Sequence, residues 1–212
     1  KGSSSLAIWE YKGSTRIQIL TLMSSSDGSF SYDTAFAAGA DLGTYSFTLK
    51  GSATWDYPYR SFSDALTLNV TQAALNVRVT TDKSTYNRTQ SMAVSAQITY
   101  PDGSTIPTSS SITFNLYLGR TPVTNRPMTY SSSGNMWTSS YLFSSSATLG
   151  NYTINVVASD AYGNKGSSNR TAKVQPATLS VTINGLRGSY QRTETINASA
   201  SVQYPDVSPF IP

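Results

Sequence analysis

Few residues of this sequence have the types that catalysis or metal binding needs. The 212 residues include neither His nor Cys, which removes the commonest general base, the commonest metal ligand and any thiolate nucleophile. Glu occurs only at Glu10 and Glu194, and neither a Gly-x-Ser-x-Gly segment nor a glycine-rich phosphate loop is found. Paired carboxylates for glycoside hydrolysis would have to come from Asp residues without visible grouping. We therefore expect that the chain is not an enzyme.

An aromatic segment at residues 55–62 is the first candidate for ligand binding. It holds Trp55, Tyr57, Tyr59 and Phe62 among polar residues. Flat aromatic side chains stack on sugar faces and are enriched at protein recognition sites. The alternative is that these rings pack against a neighbouring repeat or subunit, which would make the segment structural.

Five Asn-x-Ser/Thr sequons are the second candidate, as acceptors of N-linked glycans. Glycans at these positions would shield an extracellular protein. Ser and Thr are so abundant in this chain that several sequons are also expected by chance. The five acceptor positions are Asn69, Asn87, Asn151, Asn169 and Asn197.

Acidic turn residues are the third candidate, as calcium ligands. Asp82, Asp102, Asp160 and Asp206 all stand in segments of turn composition, and Ca²⁺ takes six to eight oxygen ligands. However, single Asp residues are also ordinary turn formers, because their carboxylates accept bonds from the nearby backbone. We expect no cofactor, with structural calcium as the alternative.

An internal repeat of about 105 residues organises the chain. Segment 75–102 recurs at 179–206 with a constant offset of 104 residues and no gap, so that Tyr86 matches Tyr190 and Tyr100 matches Tyr204. Residues 11–45 match a later segment at an offset of 106 to 107. Self-similarity over a domain-sized period indicates a folding unit repeated in tandem.

The repeat divides the chain into a half, a whole and a half. Residues 1–72 match the second half of the unit, residues 73–175 are a complete copy, and residues 176–212 match the first half. Two interpretations fit. Either the chain is cut from a longer array, or the first half in one chain completes the second half in another by strand exchange, because an unpaired sheet edge templates a partner strand.

Short alternating apolar runs predict the fold class. In the complete copy these runs are separated by clusters of Gly, Pro, Asn, Asp and Ser, which is typical of strands and turns. Seven strands in about 100 residues favour two packed antiparallel sheets with Greek-key connections. The predicted strands lie near 75–81, 91–100, 111–118, 126–131, 135–143, 151–159 and 169–175. The sequence therefore predicts an all-β protein of tandem, seven-stranded immunoglobulin-like β-sandwiches.

Two motifs carry a resemblance to a known class of proteins. Leu-Gly-x-Tyr precedes an alternating strand at Tyr45 and again at Tyr152, which resembles the tyrosine corner of immunoglobulin-like domains. The segment 81–86 (Thr-Asp-Lys-Ser-Thr-Tyr) resembles the start of macroglobulin-type and bacterial or archaeal immunoglobulin-like repeats of large surface proteins. The resemblance implies extracellular scaffolding and carries no ligand-binding residues.

Charge and hydropathy limit the possible partners. Charged residues make up 12% of the chain and the net charge is +4, but the cations are dispersed, so we expect no nucleic-acid binding. The apolar runs are too short to insert in a membrane.

From the repeat and the resemblance we expect a secreted, extracellular structural component of the cell surface. It would be a rod-like repeat array or a filament, with neighbouring repeats or adjacent subunits as its partners. The alternative is an adhesin or carbohydrate-binding module that binds surface glycans through the aromatic loop 55–62.

Overall fold

The computed structural model describes residues 5–23, 25, 27, 29–51 and 62–205. The chain divides into two compact units, Lys1–Ala73 and Ala74–Pro212. All regular elements in the described ranges are β-strands, so the predicted all-β class is confirmed. No helix of this part of the chain is long and apolar enough to cross a membrane.

The described residues of the first unit form one antiparallel sheet. Its strands are β1 (Ser5–Lys12), β2 (Thr15–Met23), β3 (Gly43–Gly51) and β4 (Phe62–Val70), in the order β2-β1-β3-β4. Side chains alternate between its faces, as the twofold period of a strand requires: Leu6 and Ile8 are buried on the inner face, whereas Trp9 lies on the outer face.

Residues 74–175 form the complete repeat, and the structure describes all of them. The strands are β5 (Asn76–Thr81), β6 (Thr85–Asn87), β7 (Ser91–Thr99), β8 (Ser111–Leu118), β9 (Thr121–Pro127), β10 (Thr129–Ser131), β11 (Met136–Leu142), β12 (Gly150–Ser159) and β13 (Lys165–Gln175). One sheet has the order β10-β11-β7-β5 and the other has the order β6-β13-β12-β8-β9.

This strand order is that of an immunoglobulin-like sandwich with two added edge strands. The constant-type arrangement places the first, second, fifth and fourth strands in one sheet and the other three in the second sheet. Here β6 and β9 extend the second sheet at its two edges. β6 was missed in the sequence because it has only three residues. The predicted strand 126–131 covers β10 and only the last two residues of β9, because β9 contains two prolines and is exposed at nearly every position.

The core lies between the two sheets. Strand β7 buries every second residue, and β8 and β12 alternate in the same way. The alternation of the sequence places a set of apolar residues on the inner faces of the complete repeat. One of them, Val77, is only partly buried. The others are buried: Val79, Val94, Ile98, Ile112, Phe114, Leu116, Trp137, Tyr152, Ile154 and Val156. The structure adds the fully buried Tyr86, Met92 and Phe143.

The chain enters this sandwich at one end and leaves it at the other. Ala74 forms a parallel bridge with Lys165 at the start of β13, and Gln175 at the end of β13 pairs with Asn87 in a parallel register. Since β13 has 11 residues, the two ends are separated by about 36 Å at ~3.3 Å per residue.

The remaining described residues form a hairpin. Strands β14 (Ser180–Asn184) and β15 (Ser199–Gln203) pair antiparallel, with Val181 opposite Val202. They correspond to β5 and β7 of the complete repeat at the offset of 104 residues.

Candidate interaction surfaces

Both Leu-Gly-x-Tyr motifs form the same local hydrogen bond. The Tyr152 hydroxyl donates to the carbonyl of Thr148 at 2.8 Å, and the Tyr45 hydroxyl donates to the carbonyl of Asp41 at 2.9 Å. In each motif the glycine before the tyrosine has a positive φ, which a side chain disfavours. These bonds fix the turns that lead into β12 and β3.

A second phenol closes the turn between β5 and β6. The Tyr86 hydroxyl donates to Asp82 Oδ1 at 2.6 Å and accepts from the Lys83 amide at 3.0 Å, while Asp82 Oδ1 also accepts from the Ala93 amide at 2.8 Å. Burial, together with the bond to Asp82, raises the pKa of Tyr86 to about 12. Asp82 is therefore used to connect this turn to β7.

The same turn recurs in the hairpin. The Tyr190 hydroxyl accepts from the Arg187 amide at 2.9 Å, as Tyr86 does from Lys83, and donates to the carbonyl of Gly185 at 3.2 Å. The phenol thus keeps its local role where the carboxylate of the complete repeat is replaced by Leu186.

Asp160 organises the turn between β12 and β13. Its Oδ2 accepts from the Tyr100 hydroxyl at 2.7 Å and from Asn164 Nδ2 at 2.8 Å, and its Oδ1 accepts from the amides of Tyr162 and Asn164, both at 2.9 Å. Burial disfavours the charged form, but these hydrogen bonds outweigh it and hold the pKa of Asp160 below its usual value. Burial and the bond to Asp160 raise the pKa of Tyr100 to about 12.

The predicted calcium ligands that the structure describes are each engaged in hydrogen bonds of a turn. Asp102 Oδ1 accepts from the amide and hydroxyl of Ser104, at 2.9 and 2.7 Å, while Asp82 and Asp160 act in the turns described above. Asp206 lies outside the described residues. No group of three or more acidic residues that could hold a metal ion occurs within the described ranges, and calcium binding stays a prediction.

Four of the five sequons are exposed. Asn69, Asn151 and Asn169 lie on strands β4, β12 and β13, and Asn197 precedes β15. Asn87 is half-buried, and its Oδ1 accepts from Gln175 Nε2 at 2.8 Å. Glycosylation at these positions stays a prediction.

Most of the predicted aromatic loop 55–62 lies outside the described residues. Trp55, Tyr57 and Tyr59 lie outside the described residues, and for Phe62 the structure describes only the backbone, at the start of β4. Its role as a ligand or partner contact stays a prediction.

The structure reveals an asparagine ladder on the outer face of the complete repeat. Asn125 Nδ2 donates to Asn115 Oδ1 at 2.5 Å, Asn115 Nδ2 to Asn155 Oδ1 at 3.2 Å, and Asn155 Nδ2 to Asn169 Oδ1 at 2.8 Å. These residues occupy paired positions on four adjacent strands. Sequence reasoning missed them because the ladder depends on the strand register.

The corresponding row of the first unit has different chemistry. Trp9 pairs with Ile19 on one side and Thr48 on the other. Lys50 Nζ lies 4.0 Å from the centre of the Trp9 ring, and the Arg16 guanidinium lies 5.0 Å from it. One outer face therefore presents amides, and the other presents an aromatic ring between two cations.

The inner face of the hairpin is open. Ile183 is 60% exposed and Ile196 is 58% exposed, whereas their counterparts Val79 and Met92 are 7% and 0% exposed. Val181 is also exposed, on the same face of β14 as Ile183. The hairpin thus presents the apolar residues that β5 and β7 bury.

The inner face of the first unit is partly open. Phe36 packs edge-on against Tyr45 with ring centres 4.9 Å apart, so residues of the segment 29–42 cover one part of the sheet. Leu66 on β4 is 64% exposed, and a groove beside it is lined by Ile8, Phe47 and Leu49. The uncovered part lies along the β4 edge.

Comparisons with known proteins give distant structural likenesses. The chain is similar to a crystal structure of a tetra-tandem repeat in the extending region of a large adhesion protein, with 16% identity and a TM-score of 0.41. It is also similar to a structure from a 1.5-MDa bacterial ice-binding adhesin, studied for its host cell surface retention, with 12% identity and a TM-score of 0.34. The matches cover 94% and 89% of this chain, which spans 48% and 59% of the lengths of those two chains.

No family model and no curated protein matches the sequence. TM-scores this low do not establish a common fold, so the fold assignment rests on the strand order of residues 74–175.

Proposed function

We propose that this chain is a structural component of the cell surface, a rod-like array of immunoglobulin-like repeats. The observation that carries the proposal is that Ala74 and Gln175 lie at opposite ends of the complete sandwich. Copies joined in this way extend along one direction, and each adds about 36 Å, the length of an 11-residue strand at ~3.3 Å per residue.

Short connections support a stiff rod. Only residues 176–179 separate the end of β13 from the start of β14, and Pro176 among them fixes one backbone torsion. A short connection containing proline restricts hinge motion, as a spacer requires.

The polar clusters of the described residues also support a structural role. Hydrogen bonds within turns engage the side chains of Asp82, Asp160 and the two corner tyrosines. The composition also lacks His and Cys. The proposal therefore includes no enzymatic activity.

Small-angle X-ray scattering tests the rod. We expect the maximum dimension to increase by roughly 36 Å, the estimated strand length, for each copy of residues 75–178 inserted in tandem after residue 178 of the chain. A maximum dimension that stays constant while the mass increases would contradict a linear arrangement. Release of peptides of the chain by protease treatment of intact producing cells tests the surface location; recovery only after lysis would contradict it.

A second candidate function is an adhesin or carbohydrate-binding module. It is favoured by the aromatic row of the first unit, where Trp9 stacks near Tyr11 with ring centres 6.4 Å apart on the outer face of β1. The predicted loop 55–62 would add further rings. Titration of a glycan panel against the full chain and its Trp9→Ala and Trp55→Ala variants would measure this; no fluorescence change with any glycan would exclude it.

A further inference from the structure

We infer that the hairpin β14–β15 of one molecule packs on the open inner face of the sheet β1–β4 of a second copy of this chain. Together they would complete a sandwich like that of residues 74–175. This inference deepens the proposed rod, on which it rests, because it continues the rod from one molecule to the next.

The complete repeat provides the template for this contact. There β5 and β7 lie opposite the sheet that contains β8, β12 and β13, and the apolar residues between them are buried. The hairpin corresponds to β5 and β7, and the sheet β2-β1-β3-β4 corresponds to β9-β8-β12-β13. Both parts of the interface are therefore present in each chain. The apolar face of the hairpin is exposed, and the inner face of the sheet, which also carries the buried Glu10, is open along β4 at Leu66.

The aromatic core is divided between the two parts. In the complete repeat, Phe143 contacts Tyr86 with ring centres 5.7 Å apart and Tyr152 with ring centres 5.2 Å apart. The first unit keeps the second of these contacts in Phe36 and Tyr45. The counterpart of Tyr86 is Tyr190, beside the hairpin, and Phe36 is 37% exposed where Phe143 is fully buried.

One pair of positions differs between the complete repeat and the two halves. In the complete repeat, Arg170 Nε donates to Thr81 Oγ1 at 2.9 Å, which links β13 to β5. The counterpart of Arg170 is Leu66, and the counterpart of Thr81 is Gly185, which has no side-chain acceptor. A polar link within one repeat is thus replaced by two residues that suit an apolar contact, so the hairpin matches the sheet of the first unit.

The pairing of β6 with β13 in the complete repeat defines the register expected between the two chains. Lys173 pairs with Thr85 and Val174 pairs with Tyr86 where β13 runs parallel to β6. The corresponding positions are Asn69 with Ser189 and Val70 with Tyr190. Bridged residues of adjacent strands fall within the Cα separation of about 4.4–6.8 Å that a disulfide spans, and Asn69 and Ser189 are both exposed.

A cysteine cross-link between two chains tests the inference, since these 212 residues contain no Cys. The variants Asn69→Cys and Ser189→Cys, one of them carrying a size tag, are mixed and oxidised mildly. We expect a mixed-size dimer on a non-reducing gel. The matched control pairs Asn69→Cys with Thr182→Cys, because Thr182 lies on the opposite face of β14 from Val181 and Ile183; it should give several-fold less product.

Equal yields from the two mixtures would overturn the inference. The double variant Asn69→Cys/Ser189→Cys should give a ladder of covalent multimers. If it gives only a monomer with an internal disulfide, the hairpin covers its own chain and the second copy is excluded. If the cross-link fails, scattering still measures the increase in length for each tandem copy. The contact between two chains can therefore be wrong while the proposed rod is supported.

Discussion

The segments 75–102 and 179–206 place nearly the same sequence in two different environments. Both form an antiparallel strand pair and both keep a tyrosine whose hydroxyl accepts from the turn, Tyr86 in one and Tyr190 in the other. Only the first is covered by an opposing sheet. The repeat sequence therefore specifies the hairpin and its turn locally, whereas burial of the apolar face depends on a sheet supplied from elsewhere.

Replacing Phe143 and replacing its counterpart Phe36 should differ most in their cost to stability. Replacing Phe143 with Ala should lower the free energy of unfolding of the complete repeat by about 3–5 kcal/mol, because a buried ring with three aromatic neighbours leaves a cavity. Phe36→Ala should cost much less in the isolated molecule, since Phe36 is partly exposed. Urea denaturation followed by Trp137 fluorescence, with Trp9 and Trp55 replaced by Phe, measures the first variant.

The Phe36→Ala variant also tests the contact with a second copy, when the unfolding of the first unit is followed by Trp9 fluorescence. At protein concentrations where light scattering detects assemblies, Phe36→Ala should become more destabilising, because Tyr190 of a second copy would then bury the ring. A cost that does not change with concentration would contradict an interface at this position.

Substitutions at Gly166 and Gly188 should give the next largest difference in stability. A Cβ at Gly166 would lie 2.1 Å from the backbone oxygen of Leu75, so Gly166→Ala must move β5 and should cost about 1–3 kcal/mol, as overpacking does. At Gly188, before Tyr190, a Cβ meets nothing within 4 Å, and Gly188→Ala should leave stability nearly unchanged. Thermal denaturation of both variants measures this, and equal melting temperatures would show that β5 is not held closely against β13.

Sequence patterns predicted what depends on local periodicity. Alternation located Val94, Ile98, Phe114 and Ile154 on the inner face. Phe143 falls within the predicted strand 135–143 but was not assigned to the core, because its burial depends on contacts with Tyr86 and Tyr152, which are distant in sequence.

The candidate surfaces were harder to predict. The asparagine ladder joins four strands, so it becomes visible only when the register is known. The open faces were anticipated in outline by the half-length matches to the repeat, but the exchange of Arg170 and Thr81 for Leu66 and Gly185 has meaning only once Arg170 is seen to bond Thr81.

Alkaline pH tests two of the buried phenols of the complete repeat. The pKa values of Tyr86 and Tyr100 are raised from 10.0 to about 12, so the folded state favours the neutral phenols. Their contribution to stability is fully present below about pH 10 and is lost as the pH rises towards 12. We expect the melting temperature to fall across this window, and to fall less steeply in a Tyr86→Phe/Tyr100→Phe variant. Parallel pH profiles would contradict the assignment.

The two tyrosine corners, one in each unit, should make the smallest difference to the free energy of unfolding. Tyr152→Phe removes the bond to the carbonyl of Thr148, and Tyr45→Phe removes the bond to Asp41. Each should cost about 0.5–1.5 kcal/mol, the net value of one hydrogen bond, and Thr148 is exposed, so water can replace the lost donor. Urea denaturation measures both variants, with Trp137 reporting on one unit and Trp9 on the other. A similar cost in both would show that the corner stabilises the turn before its strand without help from an opposing sheet; a cost at Tyr152 alone would show that the corner, like the apolar face, needs the complete sandwich.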